Sequence, residues 1–348
     1  MIRRFAVMLC VSLLAAACSA APPVQPAVRS AFSTMPFGVG GRMQNLPPKI
    51  KYFQVPTLGS WPENITVGPD GALWFTEYYQ KQIGRITTSG KATEFQMPYP
   101  DDVEAIATGS DGNLWITEPG ANNIGRLTPG GVETDFPIPA LDPGPREIAL
   151  GPDGAMWFTE NNDDHIGRIT TAGVITRFAL PTNSSPWGIV AGSDGLIYVA
   201  DTITSEISRF NPSTSQFLSP VKLQQAVSPW ALCVGPDKNV WFTESRSGKI
   251  GVIVNGKVSA LFKIPARGPD PRTIATGPDG NLWIGDASVD EYRNSIAAFN
   301  PTTQQFLPLI FVDKHIPESI VAGPDSNMWF ASAGYGPNSD RIGVVLLH

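Results

Sequence analysis

The stretch "GPDGALWFTE", Gly68–Glu77, decides the fold because the chain repeats it along its length. It returns as "GSDGNLWITE" at 109–118, as "GPDGAMWFTE" at 151–160 and as "GPDGNLWIGD" at 277–286. Copies aligned on the opening glycine lie 41 to 46 residues apart and start at Gly68, Gly109, Gly151, Gly192, Gly235, Gly277 and Gly323. A repeat of this length is typical of a β-propeller, in which each copy builds one four-stranded blade.

Each copy carries signals for four short strands, called a to d below. In the first copy "NITVG" predicts strand a, the Asp-Gly pair a tight turn, and "ALWFTE" strand b. "IGRI" predicts strand c, and the alternating "ATEFQMP" predicts strand d. The last copy ends after strand c, whereas "IKYFQVP" at 50–56 matches strand d and precedes the first copy. We therefore predict an all-β, seven-bladed β-propeller over 49–348, closed by the N-terminal strand completing the C-terminal blade.

The composition agrees with a turn-rich globular protein. The 348 residues include 34 Gly and 33 Pro, and 42% are hydrophobic. A net charge of −6 and the lack of any Lys/Arg-rich block exclude nucleic acid as a partner, because phosphates would be repelled. We expect a monomer.

The N-terminus predicts export. "MIRRFAVMLCVSLLAAACSA" has two arginines, an apolar run and small residues, which together indicate a signal peptide over 1–17. "LLAAAC" resembles the lipobox of bacterial lipoproteins, which would make Cys18 the lipidated first residue; ordinary signal-peptidase cleavage is the alternative. Residues 18–48 predict a Pro/Gly/Ala-rich tether. We expect an outer-membrane lipoprotein or a periplasmic protein that contacts membrane only through the Cys18 anchor.

Cysteine usage fits this location without adding a disulfide. Cys10 lies in the leader, Cys18 at the cleavage site and Cys233 in a predicted inner strand, so the mature domain has no pair to oxidise. The propeller must therefore be stabilised by packing.

The repeated pattern P-x-x-I-x-x-G-P-D-G-x-L-W-F-T-E followed by I-G-R-I-T resembles that of the virginiamycin B lyase, or streptogramin B lyase, family over residues 50–348. The resemblance implies a seven-bladed propeller that opens a cyclic depsipeptide antibiotic by elimination. It also implies a histidine after the proline that opens strand a, acting with nearby glutamates and Mg²⁺. A histidine suits proton abstraction near neutral pH, and a metal ion would stabilise the developing oxyanion.

The position after that proline, or its equivalent, is called the funnel ring here. In blade order it holds Glu63, Glu104, Arg146, Trp187, Trp230, Arg272 and Glu318, and none of these is histidine. The glutamates form an acidic arc over blades 7, 1 and 2, whereas the arginines flank the two tryptophans. The tryptophans either stack on a ligand or plug the central channel. His165 and His315 are expected in loops on the same face, as a displaced base or as ordinary surface residues.

The end of strand b supplies a second set of acids, which we expect to edge the same funnel. These strand-b acids are Glu77, Glu118, Glu160, Asp201, Glu244 and Asp286, with Ser332 in blade 7. In blades 1 to 4 we predict ion pairs to the strand-c arginines Arg85, Arg126, Arg168 and Arg209. Glu244 and Asp286 lack such an arginine and are therefore candidate metal or substrate ligands. The strand-b tryptophans are expected to pack between blades.

Two functions follow from these residues. The first is a metal-assisted carbon–oxygen lyase that uses Glu244, Asp286 or Glu318 as ligand or base and Arg272 or Arg146 for the oxyanion. The second is a non-catalytic propeller that binds a small molecule, a glycan or an envelope protein, with contacts from Glu63, Glu104, Arg146, Trp187, Trp230 and His315. The missing histidines favour the second. Lactone-hydrolysing propellers share the architecture, but their metal-binding repeat is not seen.

Overall fold

The computed structural model describes residues 48–97, 102–181, 183–287, 294–334 and 340–347. These residues belong to one compact unit, Leu46–His348. The predicted leader, Cys18 and nearly all of the tether lie outside the described residues. Within the described ranges, no helix is long and apolar enough to cross a membrane.

The first three blades follow the repeat strand by strand, each as an antiparallel sheet in the order a-b-c-d. Blade 1 consists of β2 (Pro62–Val67), β3 (Leu73–Glu77), β4 (Gln82–Ile86) and β5 (Ala92–Gln96). Blade 2 consists of β6 (Ile106–Thr108), β7 (Leu114–Glu118), β8 (Asn123–Leu127) and β9 (Glu133–Pro137). Blade 3 consists of β10 (Pro145–Leu150), β11 (Met156–Glu160), β12 (His165–Ile169) and β13 (Ile175–Ala179).

The next three blades keep the same order, and blade 6 gains one extra strand. Blade 4 consists of β14 (Pro186–Ala191), β15 (Ile197–Asp201), β16 (Glu206–Asn211) and β17 (Gln216–Lys222). Blade 5 consists of β18 (Pro229–Val234), β19 (Val240–Glu244), β20 (Lys249–Val254) and β21 (Lys257–Lys263). Blade 6 consists of β22 (Pro271–Thr276), β23 (Leu282–Asp286), β24 (Asn294–Asn300) and β25 (Gln305–Phe306), with β26 (Ile310–Asp313) also paired to β24.

Blade 7 closes the ring with both ends of the domain. It consists of β27 (His315–Ala322), β28 (Met328–Gly334), β29 (Arg341–Leu346) and the N-terminal β1 (Lys49–Gln54). β1 runs antiparallel to β29, with Lys49 opposite Leu346 and Gln54 opposite Arg341. The innermost strands of consecutive blades contact one another around the ring, and β27 contacts β2. The predicted seven-bladed propeller and its closure are confirmed.

The repeated decapeptide is one structural unit made by three of its residues. Asp70 Oδ1 accepts a hydrogen bond of 2.9 Å from the indole Nε1 of Trp74, which is fully buried. A Cβ at Gly68 would lie 2.2 Å from that indole, so only glycine fits beneath it. Gly71 completes the turn with φ of 72°, a conformation that glycine adopts without strain. The sequence recurs because every blade uses this turn with an aromatic residue bonded to its aspartate, a tryptophan in six blades and Tyr198 in blade 4.

The strand-b tryptophans pack between blades, as predicted. Trp74 of blade 1 belongs to a buried cluster with Ile106 and Leu114 of blade 2. Trp115 likewise packs with Ile148 and Met156 of blade 3. Blade-to-blade burial of this kind supplies the cohesion that disulfides would give a smaller domain.

Candidate functional site

A bulge near the start of strand a presents the funnel ring to the centre of the propeller. In blade 1 Pro62 lies opposite Glu77, but the register shifts before Ile65 meets Phe75. The same shift occurs in blades 3, 4 and 5. A bulge turns side chains away from the regular alternation, and here it frees two consecutive residues for the channel.

In blades 1 to 3 the strand-b threonine fixes the funnel-ring residue of the following blade by its backbone. Thr76 Oγ1 donates to the carbonyl oxygen of Glu104 at 2.8 Å. Thr117 and Thr159 donate in the same way to Arg146 and Trp187, at 2.5 and 2.8 Å. Because these hydrogen bonds go to main-chain oxygens, they position the backbone of a funnel-ring residue whatever its side chain is.

The ring encloses a cavity of about 250 Å³ at the mouth of the central channel. Its lining residues are Glu63, Asn64, Glu104, Glu147, Trp187, Trp230, Arg272 and Glu318. A second cavity of about 400 Å³ shares six of them and continues along aliphatic residues that include Ile106, Ile148, Ile189 and Ile274. The site is therefore a polar, acidic mouth above a more apolar shaft.

Two arginines pair with acids at the mouth. Arg146 forms an ion pair with Glu104, and its guanidinium carbon lies 5.1 Å from the ring centroid of Trp187. Arg272 Nε lies 3.2 Å from Asp270 Oδ2, and its Nη1 lies 3.7 Å from Glu318 Oε2. Both cations are therefore already engaged with carboxylates, and the mouth keeps an acidic surplus.

The two funnel tryptophans form a contacting pair. The ring centroids of Trp187 and Trp230 are 4.3 Å apart, with planes inclined by 33°. Gly188 allows this approach, since a Cβ there would lie 2.3 Å from the carbonyl oxygen of Trp230. Both side chains remain partly exposed and line both cavities. An aromatic wall of this kind can stack on a planar or apolar ligand.

Two glutamates in the mouth have strongly displaced pKa values. Burial, reinforced by the charges of Glu104 and Glu318, raises the pKa of Glu63 to about 9. Burial and the Glu104 charge raise the pKa of Glu147 to about 7. Asn64 Nδ2 donates to Glu147 Oε1 at 3.3 Å. At neutral pH Glu63 therefore keeps its proton, whereas Glu147 is poised to accept or release one.

A sequence profile of the Virginiamycin B lyase family matches residues 37–291 and 185–346, which together span most of the chain. The chain belongs to the Virginiamycin B lyase family. A virginiamycin B lyase from Saccharopolyspora erythraea is 41% identical over 49 residues, a segment covering 14% of this chain and 16% of that relative.

Solved structures of family members superpose on nearly the whole propeller. A streptogramin B lyase structure gives a TM-score of 0.79 at 29% identity, covering 87% of this chain and 98% of that one. Virginiamycin B lyase from Staphylococcus aureus gives 0.77 at 30% identity, covering 86% and 99%. A catalytically inactive histidine-to-alanine variant of that enzyme, solved with quinupristin, gives the same values.

The two histidines that the structure describes, His165 and His315, lie away from the funnel cavity. His165 begins β12, where its Nδ1 bonds to the carbonyl oxygen of Asp163 and lies 3.7 Å from Asp163 Oδ2. His315 begins β27, with its ring centroid 4.7 Å from that of Tyr52. Both were expected in loops, but both stand at strand ends, and neither lines either cavity.

The predicted ion pairs between strand-b acids and strand-c arginines are wrong. Arg85 lies directly opposite Trp74, so strand alternation turns it to the face that Glu77 does not share. It binds the turn instead, with Nε 2.6 Å from Asp70 Oδ2. Arg168 binds Asp153 in the same way. Arg126 and Arg209 donate to main-chain carbonyl oxygens.

The strand-b acids are buried inside the blades and do not line the funnel cavities. The side chain of Glu244 accepts a hydrogen bond from Ser247 Oγ of its own blade. Asp286 accepts from the backbone N of Asp270 at 2.7 Å and from Ser295 Oγ at 3.1 Å. Both oxygens of Asp286 are thus satisfied locally, whereas Glu244 keeps one buried oxygen, Oε1, without a hydrogen-bond partner among the described residues.

The described residues do not fit the Mg²⁺ that the family resemblance implies. Groups of three possible ligand residues with mutually close atoms occur at Glu160, Asp163 and His165 and at Glu118, Glu133 and Asp135. Among the described residues, neither the funnel glutamates nor Glu244 and Asp286 form such a group. We therefore derive no chemistry from a metal ion in the funnel.

Asn64 and Glu147 are site residues that sequence reasoning missed. Each directly follows a funnel-ring residue, and strict alternation would turn it away from the channel. The bulge in strand a brings both into the cavity lining. The detectable signal was a polar residue at this second position, where most of the other blades carry Ala, Gly or Thr.

Proposed function

We propose that this family member binds an amphipathic small molecule with a cationic group at the funnel mouth. The observation that carries the proposal is the cavity itself, in which four glutamates and a tryptophan pair stand above an aliphatic shaft. The two arginines at the mouth are engaged by acids, so the groups left to meet a ligand are acidic or aromatic. A glycan would use the tryptophans but would gain little from the acids.

Because the pKa of Glu63 is raised to about 9, the proposal also includes a pH dependence of ligand binding. A cation beside Glu63 would stabilise its carboxylate and lower its pKa, so binding would release a proton. The affinity should therefore increase as the pH rises from 6 toward 9. A ligand held by stacking alone would show no such dependence.

The test is a tryptophan-fluorescence titration with two probes, quinupristin and tetraethylammonium. Trp187→Ala and Trp230→Ala should each weaken quinupristin binding about tenfold or more, because stacking and burial are lost. Tyr79→Ala removes an aromatic ring that is 58% exposed and serves as the matched control. Unchanged affinity in both tryptophan variants would contradict the proposal. A large fall in melting temperature without any ligand effect would instead show that the pair plugs the channel.

The acid contribution is tested by Glu63→Gln. This variant should remove the pH dependence of binding while leaving the fold intact, since Glu63 is neutral at pH 7 before ligand arrives. Glu206→Gln, at a surface pair with Lys222, is the control. If the pH dependence survives in Glu63→Gln, another group releases the proton and the role proposed for Glu63 is wrong.

A ring-opening lyase is the second candidate, favoured by one specific group. Glu147 has a pKa of about 7 and lines the cavity, which suits a general base that removes a carbon-bound proton. Arg272, which lines the cavity and pairs only loosely with Glu318 at 3.7 Å, would then face the developing oxyanion; Arg146 lines neither cavity. Incubation with quinupristin and mass spectrometry would detect ring opening, and Glu147→Gln should abolish it. No product from the unaltered protein, with and without added Mg²⁺, would eliminate this candidate.

We propose export for this protein on the leader sequence at 1–17, with a lipid anchor at Cys18. Cys18→Ser should abolish incorporation of a fatty-acid analogue; persistent incorporation would contradict anchoring. An envelope protein docked on the funnel face is the alternative partner. Crosslinking from the funnel mouth would detect such an envelope protein. Added quinupristin would not abolish the crosslink.

A further inference from the structure

Blade 2 contains a carboxylate cluster apart from the funnel. Glu118 of β7 and Glu133 and Asp135 of β9 place one oxygen each within 4.8 Å of one another. Glu118 is only 3% exposed, and its Oε2 has no hydrogen-bond partner among the described residues. The same holds for both carboxylate oxygens of Glu133 and for Oδ1 of Asp135. Three acids that face one another, one buried and two partly buried, need a counter-charge or a shared proton.

In the adjacent blade 3, an arginine occupies the equivalent position and neutralises the strand-b acid. In blade 3 Arg177 lies opposite Gly167, and in blade 2 Asp135 lies opposite the equivalent Gly125. Arg177 Nε donates to Glu160 Oε2 at 2.8 Å, and its NH2 also pairs with Asp163. A cation thus ties strand b to strand d in blade 3. Blade 2 keeps the strand-b acid but replaces the cation with another acid.

Blade 2 also lacks the aromatic ring that covers this position in four of the other blades. In blades 1, 3, 5 and 7 the strand-b phenylalanine covers the glycine of strand c, so that a Cβ there would meet its ring within about 2.3 Å. The glycines are Gly84, Gly167, Gly251 and Gly343. In blade 2 the smaller Ile116 stands opposite Gly125, and the nearest atoms to a Cβ there belong to Glu133, at 3.0 Å, and Glu118, at 3.3 Å. In blade 2, carboxylate oxygens lie where a phenylalanine ring lies in blades 1, 3, 5 and 7.

We propose that Glu118, Glu133 and Asp135 bind one Ca²⁺ ion where the Arg177 guanidinium stands in blade 3. Carboxylate oxygens are the hard ligands that Ca²⁺ prefers, and Ca²⁺ tolerates irregular oxygen sites better than Mg²⁺ does. The ion links β7 to β9 across β8, as the arginine links the corresponding strands of blade 3. None of its three ligands lines the funnel cavities, so the site is independent of the ligand proposed there.

The experiment uses protein stripped with EDTA and then titrated with Ca²⁺ by calorimetry and by thermal unfolding. We expect one ion per chain and a rise of several degrees in melting temperature at saturation. Glu133→Gln, at a half-buried position, should weaken the affinity at least tenfold. Asp135→Arg, which copies blade 3, should abolish the Ca²⁺ effect and raise the melting temperature measured in EDTA. Glu206→Gln is the matched control and should bind as the unaltered protein does.

Two results would overturn the proposal. If millimolar Ca²⁺ gives neither heat nor a melting shift, the acids share protons and hold no ion. If Ca²⁺ binds but Glu133→Gln leaves the affinity unchanged, the ion lies elsewhere. The second criterion does not depend on Asp135→Arg folding, because Glu133→Gln decides it alone.

Discussion

Replacing Glu77 with glutamine should stabilise the protein at neutral pH. Glu77 is fully buried, and neither carboxylate oxygen has a hydrogen-bond partner among the described residues. Burial, reinforced by the charge of Glu94, raises its pKa from 4.5 to about 8. Glutamine has nearly the same shape as the protonated carboxyl group but does not titrate, and its amide can donate to Glu94.

The magnitude follows from proton linkage. Between pH 4.5 and 8 the folded protein holds a proton on Glu77 that the unfolded chain releases. The free energy of unfolding therefore falls with rising pH across this window, by about 1.4 kcal/mol per pH unit. Since glutamine does not titrate, the advantage of Glu77→Gln should grow from near zero at pH 4 to about 3 kcal/mol at pH 7.

Urea unfolding at pH 4, 5, 6 and 7, followed by tryptophan fluorescence in EDTA, measures this difference. Glu206→Gln, at a surface pair, should change the free energy of unfolding by less than about 0.5 kcal/mol at every pH. The reasoning is refuted if Glu77→Gln destabilises the protein at pH 7, or if its effect is the same at pH 4 and pH 7. Either result would mean that the Glu77 carboxylate is stabilised in the folded state.

Two further substitutions probe how the repeat positions the site. Thr117→Val should lower the free energy of unfolding by about 3 kcal/mol, because the buried amide of Ala105 and the carbonyl of Arg146 both lose a hydrogen-bond partner. Urea unfolding measures this loss, and Thr134→Val, at an exposed position, is the control. Gly188→Ala should separate the tryptophan pair by forcing its Cβ against the Trp230 carbonyl oxygen. We expect a changed near-ultraviolet circular dichroism spectrum and weaker quinupristin binding, and an unchanged spectrum would contradict the close approach.

The repeat alone predicted the blades, their closure and the funnel ring, because each depends on short-range patterns. Gly68, Asp70 and Trp74 act within one turn, so their spacing carries the information directly. The ring could be read from the residue after each strand-a proline. Even the closing strand β1 was visible, since an outer strand was missing at one end and present at the other.

The partners of buried charges could not be read in the same way. Pairing Arg85 with Glu77 assumed a diagonal contact across a hairpin, but the observed register places the two side chains on opposite faces of the sheet. The partner of Glu160 comes from strand d, as Arg177. A single register step decides such contacts, and the repeat pattern leaves that step open.

The hydrogen bonds of the strand-b threonines explain why this fold tolerates different chemistry at its centre. Thr76, Thr117 and Thr159 hold the main chain of ring residues that carry a glutamate, an arginine and a tryptophan. Substitution on the ring therefore changes the ligand-facing surface while leaving the contacts between blades in place. Family membership then fixes the scaffold but not the ligand, and in this chain the ring presents acids, arginines and tryptophans.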